Sequence, residues 1–156
     1  MQSQPFSIEI SEEDFDVGLL HQSLHNTHEG AIVTFTGTVR DLMGDDGEFE
    51  STELIIEHYH AMCMKVLSDL CQQALSKWEI GQIKIVHRVG KLARGEQIVF
   101  VGVSSSHRKE AFLACDFIMD FLKTSAPFWK QESKNDQSYW VDAKLSDQQQ
   151  LKRWDN

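Results

Sequence analysis

Two long stretches of this chain repeat apolar residues at helical spacing, and each is set between runs that alternate or cluster β-branched residues. Met62 to Trp78 places Cys63, Val66, Leu67, Leu70, Ala74 and Trp78 on one face. His107 to Thr124 does the same with Ala111, Cys115, Ile118 and Leu122, flanked by Phe112 and Met119. Strand patterns precede and follow them: Phe6 to Ile10, Ala31 to Arg40, Thr52 to Tyr59, Gln82 to Val89, Gln97 to Val103 and Ser138 to Ala143. Ser11 followed by Glu12, Glu13 and Asp14 predicts a helix start with Ser11 as the cap, running to about His25. A last helix is expected over Asp147 to Trp154. Pro127 ends the second long helix, because the residue before a proline is driven out of helical space. The order β-α-β-β-α-β-β-α-β predicts an α+β fold with a mostly antiparallel sheet and packed helices. No repeat, linker or low-complexity segment divides residues 1–156, so a single domain is expected. Gly44 to Glu50 reads as an acidic, glycine-containing loop without an assigned role.

Charge narrows the function. The net charge is −9, yet residues 1–39 hold no Lys or Arg, and the segment 87–134 holds eight basic residues against five acidic ones. A basic face for nucleic acid is not expected from such a chain. Cations gathered in one segment of an acidic protein suit a small anion. No apolar run has the length of a membrane span and Met1 to Ile10 has no secretory pattern, so a cytoplasmic protein is expected. The three cysteines, Cys63, Cys71 and Cys115, form no C-x-x-C pair and fit a reducing compartment. His58-Tyr-His60-Ala-Met-Cys63 has ligand-type side chains but no zinc spacing, so no metal site is assigned.

Three constellations carry possible chemistry. Ser104-Ser-Ser-His107-Arg108-Lys109 sits where a strand passes into a helix, whose unpaired N–H groups and positive dipole end suit phosphate or carboxylate; the plain alternative is a serine cap followed by solvated cations. Lys123 and Lys130 flank Thr-Ser-Ala-Pro-Phe-Trp, so two amines stand on either side of a turn beside Phe128 and Trp129. Such amines serve as nucleophile or general base when their surroundings lower the pKa, and are otherwise ordinary surface lysines. Arg40 ends a strand where a planar guanidinium can hold phosphate in bidentate fashion, or pair with a carboxylate such as Asp41. Phe35 and Met119 fit a core role on pattern alone.

Gly30-Ala-Ile-Val-Thr-Phe-Thr-Gly-Thr-Val-Arg40, His87-Arg-Val-Gly90, Val99-Phe-Val-Gly-Val-Ser104, His107-Arg108, Asp120-Phe-Leu-Lys-Thr-Ser-Ala-Pro-Phe-Trp-Lys130 and Lys152-Arg-Trp154 together resemble the large, catalytic subunit family of molybdopterin synthase. The Lys123–Lys130 segment is the most specific of them. The resemblance spans about Phe6 to Trp154 and implies an α/β hammerhead-like fold. It also implies a sulfurtransferase that turns cyclic pyranopterin monophosphate into the dithiolene of molybdopterin. Sulfur would come from a small ubiquitin-like partner with a C-terminal Gly-Gly thiocarboxylate, in a heterotetramer built on a central homodimer of large subunits. No metal or organic cofactor is implied. By the same resemblance Lys123 is the leading catalytic residue with Lys130 beside it. Lys123 would act on the thiocarboxylate adduct as acid/base or as transient acyl acceptor. Arg40, His107 and Arg108 would hold the pterin phosphate, in a pocket that takes residues from the neighbouring large subunit, and Phe35 and Met119 would line the pterin. Two positions depart from the family's usual residues: Ala61, where the stretch after His-Tyr is commonly Pro-Gly-Met, and Lys144, where arginine is common. The rival reading from the residues alone is a non-catalytic homodimeric module that binds a phosphorylated metabolite through the same cations.

Overall fold

A computed structural model describes residues 4–40, 53–134, 137–141 and 145–155. The 44–50 loop and Lys144 lie outside the described residues. The chain runs β1 (Phe6–Ser11), α1 (Val17–Ser23), β2 (Ala31–Thr38), β3 (Glu53–His58), α2 (His60–Lys77), β4 (Gln82–Arg88), β5 (Gly90–Ala93), β6 (Gln97–Ser105), α3 (Arg108–Thr124), β7 (Phe128–Lys134), β8 (Gln137–Val141) and α4 (Leu145–Lys152). The α+β expectation holds, with two four-stranded sheets: β1-β4-β6-β2 and β5-β3-β7-β8. Pairing is antiparallel throughout except for β1 on β4, which is parallel.

The first sheet carries the main core. On β6 the residues alternate in the manner strand geometry demands. Val99, Val101 and Val103 face the helical layer, where they meet Leu67, Leu70, Ala74, Ala111, Ala114, Phe117 and Ile118. Phe100 points the other way, into a smaller cluster with Leu24 and Val86 that α1 covers through Val17 and Leu20. Gly102 lies on that second face because a Cβ there would collide with Leu24 Cδ1. Each fully buried Leu, Ile or Phe contributes about 1.5–3 kcal/mol relative to exposure. The long-helix stripes therefore account for the stacking of α2 and α3 on one side of the sheet. Phe112 lies outside the α3 stripe, 62% exposed.

Three elements differ from the sequence expectation. Ser11 closes β1 in register with Arg88 instead of capping a helix; its Oγ accepts the Glu13 N–H at 3.0 Å. Residues 12–15 are held out of helix from outside. Arg88 donates through Nη2 to the Glu12 carbonyl at 3.0 Å and through Nη1 to the Gln97 carbonyl at 3.0 Å. Gln97 Nε2 donates to Asp14 Oδ1 at 2.8 Å and to the Phe15 carbonyl at 2.7 Å. Tertiary hydrogen bonds thus override the local helix signal. The helix begins at Val17, capped by Asp16, whose carboxylate accepts the Leu19 N–H at 3.0 Å. The polar run after Pro127 is β7, central in the second sheet between β3 and β8, and Gly90–Ala93 forms β5 at its edge. Gly90 adopts φ of 85°, which is open to glycine without strain and lets β4 pass directly into β5.

A candidate active site at the junction of the sheets

The chain leaves β6, turns at Ser106–His107 and folds back as α3, so α3 runs antiparallel to β6 and alongside β2. This places Lys123, in the last turn of α3, at the end of the layer where β2 finishes. A cation there complements the helix dipole. Val39, buried at the end of β2, belongs to one apolar cluster with Ile56, Val89 and Leu92, against which Phe128 packs. Arg40, exposed, follows Val39 directly. Lys130 lies on β7 opposite Ile56 of β3, and Phe128 opposite His58. Lys123 thus ends α3 just before the turn into β7, Lys130 follows that turn on β7, and Arg40 follows the buried Val39 of the cluster that Phe128 joins.

The turn that separates the two lysines is tightly fixed. Ser125 and Ala126 N–H groups both donate to the Phe121 carbonyl, at 2.8 and 3.1 Å, and Phe128 N–H donates to Ala126 at 2.8 Å. Thr124 Oγ1 donates to the Asp120 carbonyl at 2.7 Å. The Cys63 thiol, fully buried on α2, donates to the Pro127 carbonyl at 3.2 Å. From below, Asp120 Oδ2 receives Arg153 Nη2 at 2.8 Å and the Trp154 indole N–H at 2.5 Å. Trp154 packs edge-on against Trp78 and Phe117, which ties the C-terminal segment to α3 just before Lys123.

An element that sequence reasoning quoted but left without a role stands beside Lys130. His87, 5% exposed, lies flat on the Phe128 ring, with centroids 3.9 Å apart and planes within 9°. Its Nδ1 donates to the Arg88 carbonyl at 2.7 Å. Burial pushes its pKa down to about 4; the Arg88 hydrogen bond opposes this, and the nearby charges of Lys130 and His58 add to it. His58 stacks more loosely over Phe128 at 6.3 Å, and its Nε2 is 3.4 Å from His60 Nδ1. Burial, then His60, lowers the His58 pKa. The signal available in the sequence was a histidine in phase with Ile83 and Ile85 on the alternating strand β4.

His107 and Arg108 occupy the opposite end of α3. Fifteen residues at 1.5 Å each separate Arg108 from Lys123 by about 22 Å along the helix axis. Both are exposed. His107 Nε2 is 3.8 Å from Glu79 Oε2, and Glu110 in the first turn accepts the Glu79 N–H at 2.9 Å. Ser104 and Ser105 are fully buried and engaged: Ser104 Oγ accepts from Gln82 N–H, and Ser105 Oγ donates to the Glu79 carbonyl at 2.7 Å. Within one chain, then, His107 and Arg108 do not meet Lys123. Phe35 follows Ala31 and Val33 on the β2 face turned towards α3 and is 38% exposed, while Met119 is half-buried against the main core.

The cysteines supply no thiolate. All three are free and buried; burial raises Cys63 and pushes Cys71 and Cys115 up to about 12. Among the described residues no group of three or more His, Cys, Asp or Glu side chains is arranged to hold a metal ion. No helix among them is long and apolar enough to cross a membrane.

Comparison with known proteins identifies the family of the fold. The family model described as MoaE protein matches residues 10–125. A molybdopterin synthase catalytic subunit of Vibrio cholerae is 43% identical over 150 residues, covering 95% of this chain and 97% of the relative. Among solved structures, the molybdopterin biosynthesis MoaE protein from Burkholderia ambifaria superposes with a TM-score of 0.80 at 41% identity, covering 96% of this chain and 98% of that one. Molybdopterin synthase from Staphylococcus aureus superposes with a TM-score of 0.77 at 31% identity, over 90% and 98% of the two chains. This chain belongs to the MoaE family, the catalytic subunits of molybdopterin synthase.

Proposed function

We propose that the chain transfers sulfur to cyclic pyranopterin monophosphate, taking it from the C-terminal Gly-Gly thiocarboxylate of a small ubiquitin-like partner, and that Lys123 is its principal catalytic group. The observation that carries the reading is the fixed turn Ser125–Pro127, pinned by the Phe121 carbonyl and the Cys63 thiol, with Lys123 before it and Lys130 after it. Sulfur arrives on a partner, so buried protonated cysteines are what such a subunit needs. The relatives are named catalytic subunits, which supports a second component.

In this scheme the partner's thiocarboxylate sulfur bonds to a substrate carbon as a C–O bond of that carbon breaks and its oxygen departs, and the thioester so formed is then cleaved by water or by an amine, leaving the sulfur on the substrate. Lys123 serves the adduct as acid/base or takes the acyl group itself, and Lys130 stands beside it. Phe35 and Met119 line the pterin. Arg40 binds the substrate's phosphate from within the chain. His107 and Arg108, some 22 Å from Lys123 along α3, serve the site of a second large subunit. That division makes the central homodimer of the heterotetramer a requirement of catalysis.

The test mixes purified protein, thiocarboxylated partner and cyclic pyranopterin and measures dithiolene formation. Lys123→Ala lowers the rate at least about a hundredfold, the scale of an acid/base group. Full activity of that variant overturns the assignment. Mass spectrometry of the quenched reaction separates the two roles, since an acyl acceptor leaves the partner bound to Lys123.

A further inference from the structure

The His87–Phe128 pair has a bearing on Lys130 that resting on the proposed reaction makes chemically useful. Phe128 and Lys130 are two apart on β7, so their side chains leave the strand on the same face. Phe128 uses that face to cover His87, and Lys130 sits opposite the buried Ile56 on the same side. The Arg88 carbonyl fixes the His87 tautomer: Nδ1 carries the proton, and Nε2 keeps a lone pair. With one edge of the ring tied to Arg88 and one face closed by Phe128, the Nε2 edge is what remains for a polar neighbour.

We propose that His87 is a positioning residue for Lys130, its neutral ring clamped between the Arg88 carbonyl and Phe128 so that Nε2 faces the lysine ammonium and sets the protonation of that amine. The charge of Lys130 acts on His87, so the two groups are close enough for the influence to be mutual. Two titratable side chains act on the ring. Lys130 comes from β7 and His58 from β3; the flanking positions on β1 and β6 are Ile10 and Val99, both apolar. Arg88, next along β4, turns its guanidinium to the Glu12 and Gln97 carbonyls. A lone pair facing an ammonium favours the charged form, and its loss lowers the amine's pKa.

The full-length protein is labelled with trace acetic anhydride between pH 6 and 11, and acylation of each lysine is read by peptide mass spectrometry. This gives separate titration curves for Lys130 and for Lys109, the internal control in the first turn of α3 at the far end of the helix. In His87→Phe the ring stack persists but the lone pair is gone. The Lys130 midpoint falls by about half a unit or more while Lys109 is unmoved. His87→Gln, which restores an acceptor oxygen, recovers most of the shift. An unmoved Lys130 midpoint in folded His87→Phe overturns the proposal. If His87→Phe does not fold, Phe128→Leu decides, because loosening the clamp must also move Lys130, and an unchanged curve there refutes the idea. The labelling needs neither partner nor substrate, so its failure is distinct from failure of the Lys123→Ala assay.

Discussion

Burial of His87 makes the fold acid-sensitive in a window that can be calculated. The unfolded histidine titrates near 6.5 and the folded one near 4. Between those values the unfolded chain binds more protons than the native one, so stability rises with pH there and is lost as pH falls. At pH 7 almost nothing is lost. At pH 5 the unfolded ring is nearly all protonated and the native ring nearly all neutral, which costs about 2 kcal/mol relative to pH 7. The full effect, about 3 kcal/mol, is reached below pH 4. The assay is urea unfolding at pH 7 and pH 5 for the natural protein and for His87→Phe, with equal m-values required of both. Carboxylates contribute to both proteins alike, so the difference between their pH dependences isolates His87. The variant is expected to lose about 2 kcal/mol less than the natural protein on going from pH 7 to pH 5. Identical losses would show that position 87 does not change charge state on unfolding, and would refute the burial argument.

Other outcomes follow from the same geometry. Arg40→Ala raises KM for the pterin substrate more than it lowers kcat, read from steady-state dithiolene formation with saturating partner. Mixing Lys123→Ala with Arg108→Ala subunits, each inactive alone, restores part of the activity, because the two positions serve different copies across the dimer; no recovery in mixed assemblies refutes the shared site. Gly102→Ala destabilises by about 1–3 kcal/mol through overpacking against Leu24, measured by chemical denaturation. Asp120→Asn loosens the C-terminal clamp and costs about 1–3 kcal/mol, since Arg153 and the Trp154 indole share that carboxylate.

Much of this molecule can be read from its residues because periodicity and burial coincide. The stripes on α2 and α3 and the alternation on β6 each point to one core, and the structure stacks them accordingly. Of the candidate site, what was legible is the turn itself: Pro127 between Lys123 and Lys130 announces a chain break, and the Phe121 carbonyl closes it. What was hidden depends on partners far along the chain. Residues 12–15 carry helix-type signals, yet Arg88 and Gln97 hold them in a non-helical bend. Phe128–Lys134 is polar and follows a proline, and becomes a central strand only because β3 and β8 flank it. His87 falls in phase with Ile83 and Ile85 on β4, and only the cover supplied by Phe128 explains its burial. The separation of His107 from Lys123 within one chain follows from the length of α3 alone.

The hydrogen bond from Cys63 to the Pro127 carbonyl has a consequence for inhibitor studies. A reagent that alkylates this sulfur removes the donor and wedges bulk beneath the lysine-bearing turn, so activity disappears although sulfur at this position performs no chemistry. Inactivation by iodoacetamide would then mimic the poisoning of a nucleophilic cysteine. Its rate would follow how often α2 breathes away from the turn, and Cys63→Ala, immune to the reagent, would tell the two explanations apart.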